Sequence, residues 1–238
     1  MPAPFFSVIV PAHNEEPIIA ESIRAIRTEL GRQDKPFEIL IVDDGSCDRT
    51  SDASTSALEQ SGRVIRLNPN RGKAGAIAEG VTQAKGERIL FTDADLSVTP
   101  DFFKPMIDRL DESDVVIGSR HLPQSRFLRR QAWLRERCGE GFRLLVRAFL
   151  LPNISDFTCG LKAYRADAAR HLFSGLVCRD WTFDVEILLR ARAAGYRIAE
   201  FPVSWTNRPD SRVRLVSAIC RSFLSLVKLW KIYGARKS

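Results

Sequence analysis

The chain of 238 residues is 45% hydrophobic and 27% charged, which is typical of a folded globular protein with one large domain and not of a disordered one. Its formal net charge of +7 favours a polyanionic partner: nucleic acid, an anionic membrane or a phosphorylated substrate. The five cysteines are scattered without a Cys-x-x-Cys pair, which argues against a disulfide framework or structural zinc and fits a reducing compartment.

Two kinds of membrane-related segment are absent from the printed sequence. No charged leader followed by an apolar core opens it, so no signal peptide is expected. No run of about 18 uncharged apolar residues occurs, so no transmembrane helix is expected.

The first half of the chain alternates short buried strands with helices. In chain order the patterns predict a strand at 5–12, a helix opened by 13–17, a strand at 38–42, a helix at 48–60, a strand at 63–67, a helix at 72–85, a strand at 87–92, a helix at 101–110 and a strand at 115–118. Asn14 is expected to cap the first helix. This alternation predicts βαβ units and a largely parallel sheet.

The second half is less regular. A basic stretch with interleaved aromatic residues covers 124–137, and it is followed by a predicted helix at 142–151, a strand at 162–165, a helix from 181 to about 194 and a strand at 196–203. We divide the chain into a domain at 1–210 and an amphipathic C-terminal helix at 211–238. A basic stripe opposite a broad Leu, Phe and Trp face predicts that this helix lies in a membrane interface, although one of its faces can equally dock on the core.

Polar residues follow the predicted strands at their carboxyl ends, where open α/β sheets bind ligands. Asp93 and Asp95 follow the fourth strand, and a carboxylate pair suits a hard divalent cation that also binds phosphate oxygens. We therefore expect Asp93 and Asp95 to hold Mg²⁺ or Mn²⁺ that bridges a diphosphate.

Five segments occur in the order and spacing of a known family: SVIVPAHNEE, IVDDGSCDRT, NRGKAGAIAEG, FTDADLS and IGSR. Together they resemble the family 2 glycosyltransferases, which have the GT-A nucleotide-diphosphosugar transferase fold. The later segments SDFTCGLKAYR, RDWTFDVEILLRA and FPVSW resemble the branch that glycosylates polyprenyl phosphates, such as dolichyl-phosphate mannose and glucose synthases. The resemblance implies an α/β fold with a central, mostly parallel sheet flanked by helices.

The resemblance also implies roles for single residues. It assigns the metal to Asp93 and Asp95, and Ser97 stands where mannose synthases can have a Gln ligand, so no third side-chain ligand is expected. It places phosphate contacts at Arg120, and we expect the acceptor phosphate at a basic cluster where we favour Arg135. Contacts with the nucleotide or its diphosphate are assigned to Pro11, His13, Glu15, Val42, Asp44, Lys73, Asp93, Ala94 and Arg212.

The implied activity is the inverting transfer of a hexose, glucose or mannose, from a UDP- or GDP-sugar to a polyprenyl phosphate. Asp95, Arg120 and Arg135 are the residues that we expect to carry it. The lipid acceptor predicts an enzyme that is cytoplasmic and peripheral on the cytoplasmic face of a membrane, either alone or with a separate membrane-anchor subunit. Nucleic acid is not an expected partner.

Two alternatives remain open from the sequence. A family 2 transferase with a soluble saccharide acceptor would need a carboxylate base, for which Asp156 and Asp184 are the candidates. A non-catalytic basic protein that binds nucleic acid or acidic lipid would use the basic and aromatic stretch at 126–137, but the aspartates of the crevice would repel a polyanion.

Overall fold

The computed structural model describes residues 3–129, 133–206 and 215–234 of the chain. For residues 129, 134, 135 and 215–221 the description is confined to the backbone. No helix in these described ranges has both the length and the apolar composition needed to cross a bilayer.

Strands and helices alternate along the described chain. The strands are β1 Phe6–Ala12, β2 Phe37–Asp43, β3 Gly62–Arg66, β4 Arg88–Phe91, β5 Val115–Ser119, β6 Arg126–Arg129, β7 Lys162–Arg165, β8 Ile198–Pro202 and β9 Ser204–Thr206. The α-helices are α1 Glu16–Leu30, α2 Thr50–Leu58, α3 Gly72–Gln83, α4 Phe103–Arg109, α5 Trp133–Phe149, α6 Ala166–Phe173, α7 Phe183–Ala193 and α8 Leu215–Tyr233. A 3₁₀ turn at Pro100–Phe102 precedes α4.

Seven strands form one sheet in the order β3-β2-β1-β4-β7-β5-β8, and β6 pairs with β9 in a small second sheet. All neighbours in the large sheet are parallel except β7, which runs antiparallel to both β4 and β5. The carboxyl ends of six strands therefore meet at one edge. Because β7 is reversed, the segment that leads into it lies at this same edge.

Hydrophobic clusters cover both faces of the sheet, as parallel strands require. Successive residues of β1 alternate between them: Ile9 belongs to the cluster with α3, α6 and α7, whereas Val8 and Val10 belong to the cluster with α1 and α4. Leu226 and Leu229 of α8 are buried in the first cluster. One face of the C-terminal helix is thus part of the core.

The predicted α/β fold with a mostly parallel sheet is confirmed, whereas two local predictions were wrong and one helix was not predicted. Asn14 does not cap α1, because it adopts a left-handed conformation (φ 56°) and its side-chain oxygen accepts a hydrogen bond from Cys47 N–H at 2.9 Å. Helix α5 begins at Trp133 and not at Phe142. Helix α6 was missed, since its eight residues follow β7 directly.

Candidate active site

The carboxylate of Asp95 lies just beyond the carboxyl end of β4 and is held by its own turn. One of its oxygens accepts a hydrogen bond from Ser97 N–H at 2.9 Å, and the other accepts one from Ser97 Oγ at 2.7 Å. Ser97 therefore orients Asp95. In metal sites, hydrogen bonds of this kind from neighbouring groups hold a ligating carboxylate in its orientation.

Lys73, in the first turn of α3, forms an ion pair with Asp93. Its ammonium also lies 5.5 Å from the ring centroid of Trp181. Burial alone would lower the pKa of Lys73, but the charges of Asp93 and Asp184 outweigh it and the pKa is raised. Lys73 therefore carries a positive charge in the space between the carboxyl end of β4 and the first turn of α3. This space is called the cleft below.

Arg120 follows β5 and is clamped by Asp156. Its Nε and Nη2 donate to the two Asp156 oxygens at 2.7 and 2.9 Å, and Nη2 also donates to Thr158 Oγ1 at 2.9 Å. Nη1 makes no hydrogen bond to the side chains that the structure describes. Burial would lower the pKa of Arg120, but the Asp156 charge outweighs it and the pKa is raised.

Asp156 is 2% exposed. Burial would raise the pKa of its carboxyl, but the charge of Arg120 and the hydrogen bonds from its guanidinium and backbone N–H outweigh burial and lower the pKa well below its usual range. The carboxylate is therefore ionised at neutral pH, and both of its oxygens accept hydrogen bonds from Arg120. It holds Arg120 in one orientation, and a bidentate pair of this kind fixes the guanidinium plane.

The other candidate base, Asp184, lies in the first turn of α7 and also forms a buried ion pair. It is 2% exposed, and it accepts a hydrogen bond at 2.6 Å from the buried ammonium of Lys162, which donates to the Cys159 carbonyl as well. Burial raises the pKa of Asp184 against the opposing charges of Lys162 and Lys73. Asp184 is thus the ion-pair partner of the buried Lys162 ammonium.

The residues that we expect to contact the nucleotide line the edge where β1 and β2 end. Asp44 is 4% exposed and accepts a hydrogen bond at 2.6 Å from the backbone N–H of Arg71, just before α3. The ring nitrogens of His13 lie 3.3 and 3.4 Å from the side-chain amides of Asn14 and Asn70. Asp44 and His13 therefore flank the loop that leads to Lys73.

Four further expected contacts lie at the same edge, and two of them, Val42 and Ala94, are buried. Pro11 pairs with Val42 across β1 and β2, and Val42 is fully buried in the core. Ala94 is 6% exposed, and its carbonyl accepts a hydrogen bond from Ser22 Oγ. Glu15 precedes α1, and its backbone N–H donates to Thr50 Oγ1. Val42 and Ala94 can therefore meet a ligand mainly through their backbone.

Two expected basic residues cannot be placed. Arg212 lies outside the described residues, and for Arg135 the description stops at the backbone of α5. Their assignment to the nucleotide and to the acceptor phosphate stays a prediction.

The donor set at this edge fits a divalent cation only when a ligand completes it. Within the described ranges, no group of three or more His, Cys, Asp and Glu side chains could enclose a metal ion. Asp95, with Asp93 beside it, offers carboxylate oxygens. Mg²⁺ characteristically binds to one or two carboxylates, several waters and substrate phosphates, so the residues present fit such an ion together with a diphosphate.

Comparison with known sequences identifies the family. A sequence model described as "Glycosyl transferase family 2" matches residues 7–173. The chain belongs to glycosyltransferase family 2. A dolichyl-phosphate beta-glucosyltransferase of Dictyostelium discoideum is 34% identical over 251 residues, covering 96% of this chain and 77% of that protein. The human dolichyl-phosphate beta-glucosyltransferase is 32% identical, covering 89% and 70%.

Solved structures confirm the GT-A fold of this family 2 chain. Glucosyl-3-phosphoglycerate synthase from Mycobacterium tuberculosis, in complex with Mn²⁺, UDP and glucosyl-3-phosphoglycerate, superposes with a TM-score of 0.73. The alignment covers 97% of this chain and 80% of that one at 20% identity.

Some contacts of the family 2 site could not be inferred from the sequence. Gly160 lies so close to Asp93 that an added Cβ would stand 1.9 Å from Asp93 Oδ2. Trp181 lies against the Lys73 ammonium, and Lys162 pairs with the buried Asp184. The motif SDFTCGLKAYR contains Gly160 and Lys162, but no periodicity of the sequence reveals which strand end these residues meet.

Replacing Gly160 by Ala tests the close approach to Asp93. The new methyl group must displace the Asp93 carboxylate, which pairs with Lys73, and a displacement of about 1 Å at a reacting centre can cost about 10²-fold in rate. We expect kcat/KM for sugar transfer to fall by about that factor. Gly141→Ala in α5 is the control, because its Cβ would meet nothing within 4 Å. Equal activity of the two variants would contradict the proposed packing.

Proposed function

We propose that this chain is a metal-dependent, inverting hexosyltransferase that moves a hexose from a nucleotide-diphosphate sugar to a polyprenyl phosphate at a membrane surface. The names of the dolichyl-phosphate beta-glucosyltransferase relatives support glucose as the hexose and a dolichyl-type lipid as the acceptor. UDP-glucose is the first donor to test, because the M. tuberculosis enzyme of the same fold was crystallised with it.

One observation carries the choice of acceptor: Asp156 and Asp184, the two candidate bases of the soluble-acceptor alternative, are both buried in ion pairs. Asp156 is clamped on Arg120 and Asp184 on Lys162. A saccharide hydroxyl needs a base that is close and free to take its proton. A phosphate monoester is already ionised near neutral pH, with a second pKa of about 6, so it needs cations to orient it and no base.

The chemistry that follows is a single displacement. An oxygen of the acceptor phosphate attacks the anomeric carbon, and the bond from that carbon to the diphosphate breaks from the opposite side, which inverts the configuration. The nucleoside diphosphate leaves with the electron pair. A bound Mg²⁺ or Mn²⁺, held by Asp95 with Asp93, would act as a Lewis acid that neutralises the diphosphate.

Fixed charges of the protein assist the displacement. Lys73 stands at the first turn of α3 with its ammonium in the cleft, and Nη1 of Arg120 is directed by the Asp156 clamp. Charges that are already oriented need no reorganisation when negative charge develops on the leaving group. Lys73 is proposed to contact the diphosphate, and Arg120 to contact phosphate.

A transfer assay tests the proposal directly. Radiolabelled UDP-glucose and GDP-mannose are offered with Mn²⁺, either with a polyprenyl phosphate in detergent or with a soluble oligosaccharide. We expect label in the lipid phase with one of the two donors and none in the oligosaccharide. Transfer to the oligosaccharide alone would establish the soluble-acceptor alternative.

The described surface has an apolar face suited to a membrane interface. Helix α8 exposes five large apolar side chains, and the neighbouring α5 exposes three in its C-terminal half. They are Phe223, Leu224, Val227, Trp230 and Ile232 in α8, and Leu144, Leu145 and Phe149 in α5. Exposed Lys228 and Lys231 lie among those of α8. This mixture favours a helix at the lipid headgroup level.

Polar substitution of this face is expected to weaken membrane binding. Burying a large apolar side chain contributes about 1.5–3 kcal/mol, so Trp230→Ser should reduce affinity for anionic vesicles about tenfold, and Phe223→Ser should reduce it further. Sedimentation with vesicles measures the affinity of each single variant and of the double variant Trp230→Ser/Phe223→Ser. The melting temperature is the control, and it should not change because both side chains are exposed. Wild-type vesicle binding by the double variant would exclude this face as the membrane contact.

A further inference from the structure

Helix α8 has an inner face that reaches beyond the hydrophobic core toward the cleft. Ser222, Leu226 and Leu229 are buried, whereas the apolar side chains of the opposite face are exposed. Between the two faces, Ser225 Oγ donates a hydrogen bond of 2.7 Å to Asp180 Oδ2. This bond joins the C-terminal helix to the segment just before α7, 45 positions away in the chain.

Asp180 uses its other oxygen to hold the start of α7. Oδ1 accepts a hydrogen bond from Thr182 N–H at 2.9 Å and a second one from the Thr182 hydroxyl. Asp180 therefore fixes Thr182, the residue just before α7, while it is itself held by α8. The residue between these two anchor points is Trp181, so its backbone is fixed on both sides.

Trp181 is the part of this segment that meets the cleft. Its ring lies over the Lys73 ammonium, which in turn pairs with Asp93. A cavity of about 150 Å³ opens beside Lys73 and is lined by Arg179, Asp180, Trp181 and Phe183. The side of the cleft where we propose the diphosphate to bind is thus built partly from a segment that α8 holds.

We propose that Ser225 and Asp180 are positioning residues that tie α8 to the cleft, so that Trp181 and Lys73 adopt their binding arrangement only while α8 is docked. The inference rests on the proposed function for the identity of the ligand. It goes beyond the proposed function because it makes α8 part of the structure that holds Trp181 at the nucleotide-sugar site. Because α8 also has the exposed apolar face, a membrane that binds α8 would stabilise the side of the cleft formed by Trp181.

The first test needs no ligand. Hydrogen exchange of the peptide that covers 176–185 is compared in the wild type, Ser225→Ala and Ser222→Ala. Ser222 is a matched control, because it is a serine on the same helix that makes no hydrogen bond to Asp180. A hydrogen bond to a carboxylate protects its segment, so we expect exchange about tenfold faster in Ser225→Ala only. Equal exchange in all three proteins overturns the proposal.

The second test measures the donor site without acceptor. Calorimetric titration of UDP-glucose with Mn²⁺ is expected to give a dissociation constant about three- to tenfold higher for Ser225→Ala than for Ser222→Ala. Asp180→Ala, which removes the acceptor of the Ser225 hydrogen bond, should raise the dissociation constant at least as much as Ser225→Ala, and vesicle sedimentation should be unchanged in every variant. Faster exchange together with an unchanged dissociation constant also overturns the proposal.

The two tests separate this inference from the proposed function. If the wild type binds no nucleotide sugar, the proposed function fails while the exchange comparison still decides whether α8 holds the 180–182 segment. If the wild type binds UDP-glucose and Ser225→Ala matches Ser222→Ala in both measurements, the proposed function stands and the role of Ser225 is wrong.

Discussion

Replacement of Asp95 by Asn is expected to lower kcat/KM for sugar transfer by about 10²–10³-fold, because the variant loses the charged ligand that would hold the diphosphate-bound cation. The amide keeps the size of the carboxylate and can still meet Ser97, so the fold should be unaffected. Ser97→Ala should lose less, about 10-fold, since it removes only a supporting hydrogen bond.

One measurement and one control variant distinguish the loss of the metal ligand from a general loss of structure. Mn²⁺ binding in the presence of UDP, followed by the electron paramagnetic resonance signal of free Mn²⁺, should weaken in step with the rate. Asp108→Asn is the matched control, because Asp108 is exposed and, within the described part of the chain, its side chain pairs only with Lys104 on α4. Wild-type Mn²⁺ affinity in Asp95→Asn would refute the assignment of the metal.

Replacement of Arg120 by Met is expected to affect both stability and activity. Removing one partner of a buried ion pair leaves an uncompensated charge, here Asp156, at a cost of about 3–5 kcal/mol in the free energy of unfolding. Loss of the positive charge in the cleft should in addition reduce kcat by about 10²-fold. Urea denaturation and steady-state kinetics measure the two effects. Arg109→Met, which breaks the exposed pair with Glu112, should cost less than about 1 kcal/mol.

A double variant separates the two roles of Arg120. Adding Asp156→Asn to Arg120→Met removes the buried charge, so most of the stability should return while the activity stays low. If activity returned together with stability, Arg120 would have no direct part in binding phosphate.

The pH dependence of stability has a defined sign for Asp156. Its pKa in the folded protein lies below the unfolded value of about 3.9. The ionised form therefore stabilises the fold above that value, and the contribution is lost progressively as the pH falls below it. Asp156→Asn should lack this part of the acid destabilisation.

The parts of the fold that could be predicted are those set by local sequence. Strands β1, β2 and β4 lie within one residue of their predicted bounds, because buried parallel strands are short runs of apolar residues. Helix α6 has no such signal, since it begins directly after β7. The start of α5 was missed because its first two turns are rich in Arg and Glu, whereas the predicted helix was recognised from its later apolar face.

In the candidate site, too, the positions of residues at strand ends could be predicted, whereas their tertiary partners could not. The order of motifs predicted that Asp93, Asp95 and Arg120 lie at one edge, since parallel strands end together. Which partner each would meet depends on the reversed strand β7, which brings Asp156 and Gly160 to the edge. That reversal, like the contact of Ser225 with Asp180, is a tertiary result that no local pattern encodes.

The location of the cation and nucleotide in a crystal tests the account most directly. Crystals soaked with Mn²⁺ and UDP-glucose should give an anomalous difference peak bonded to the Asp95 carboxylate, with the diphosphate between that peak and Lys73. A peak and a nucleotide at another place on the protein, with the cleft between β4 and α3 empty, would contradict it.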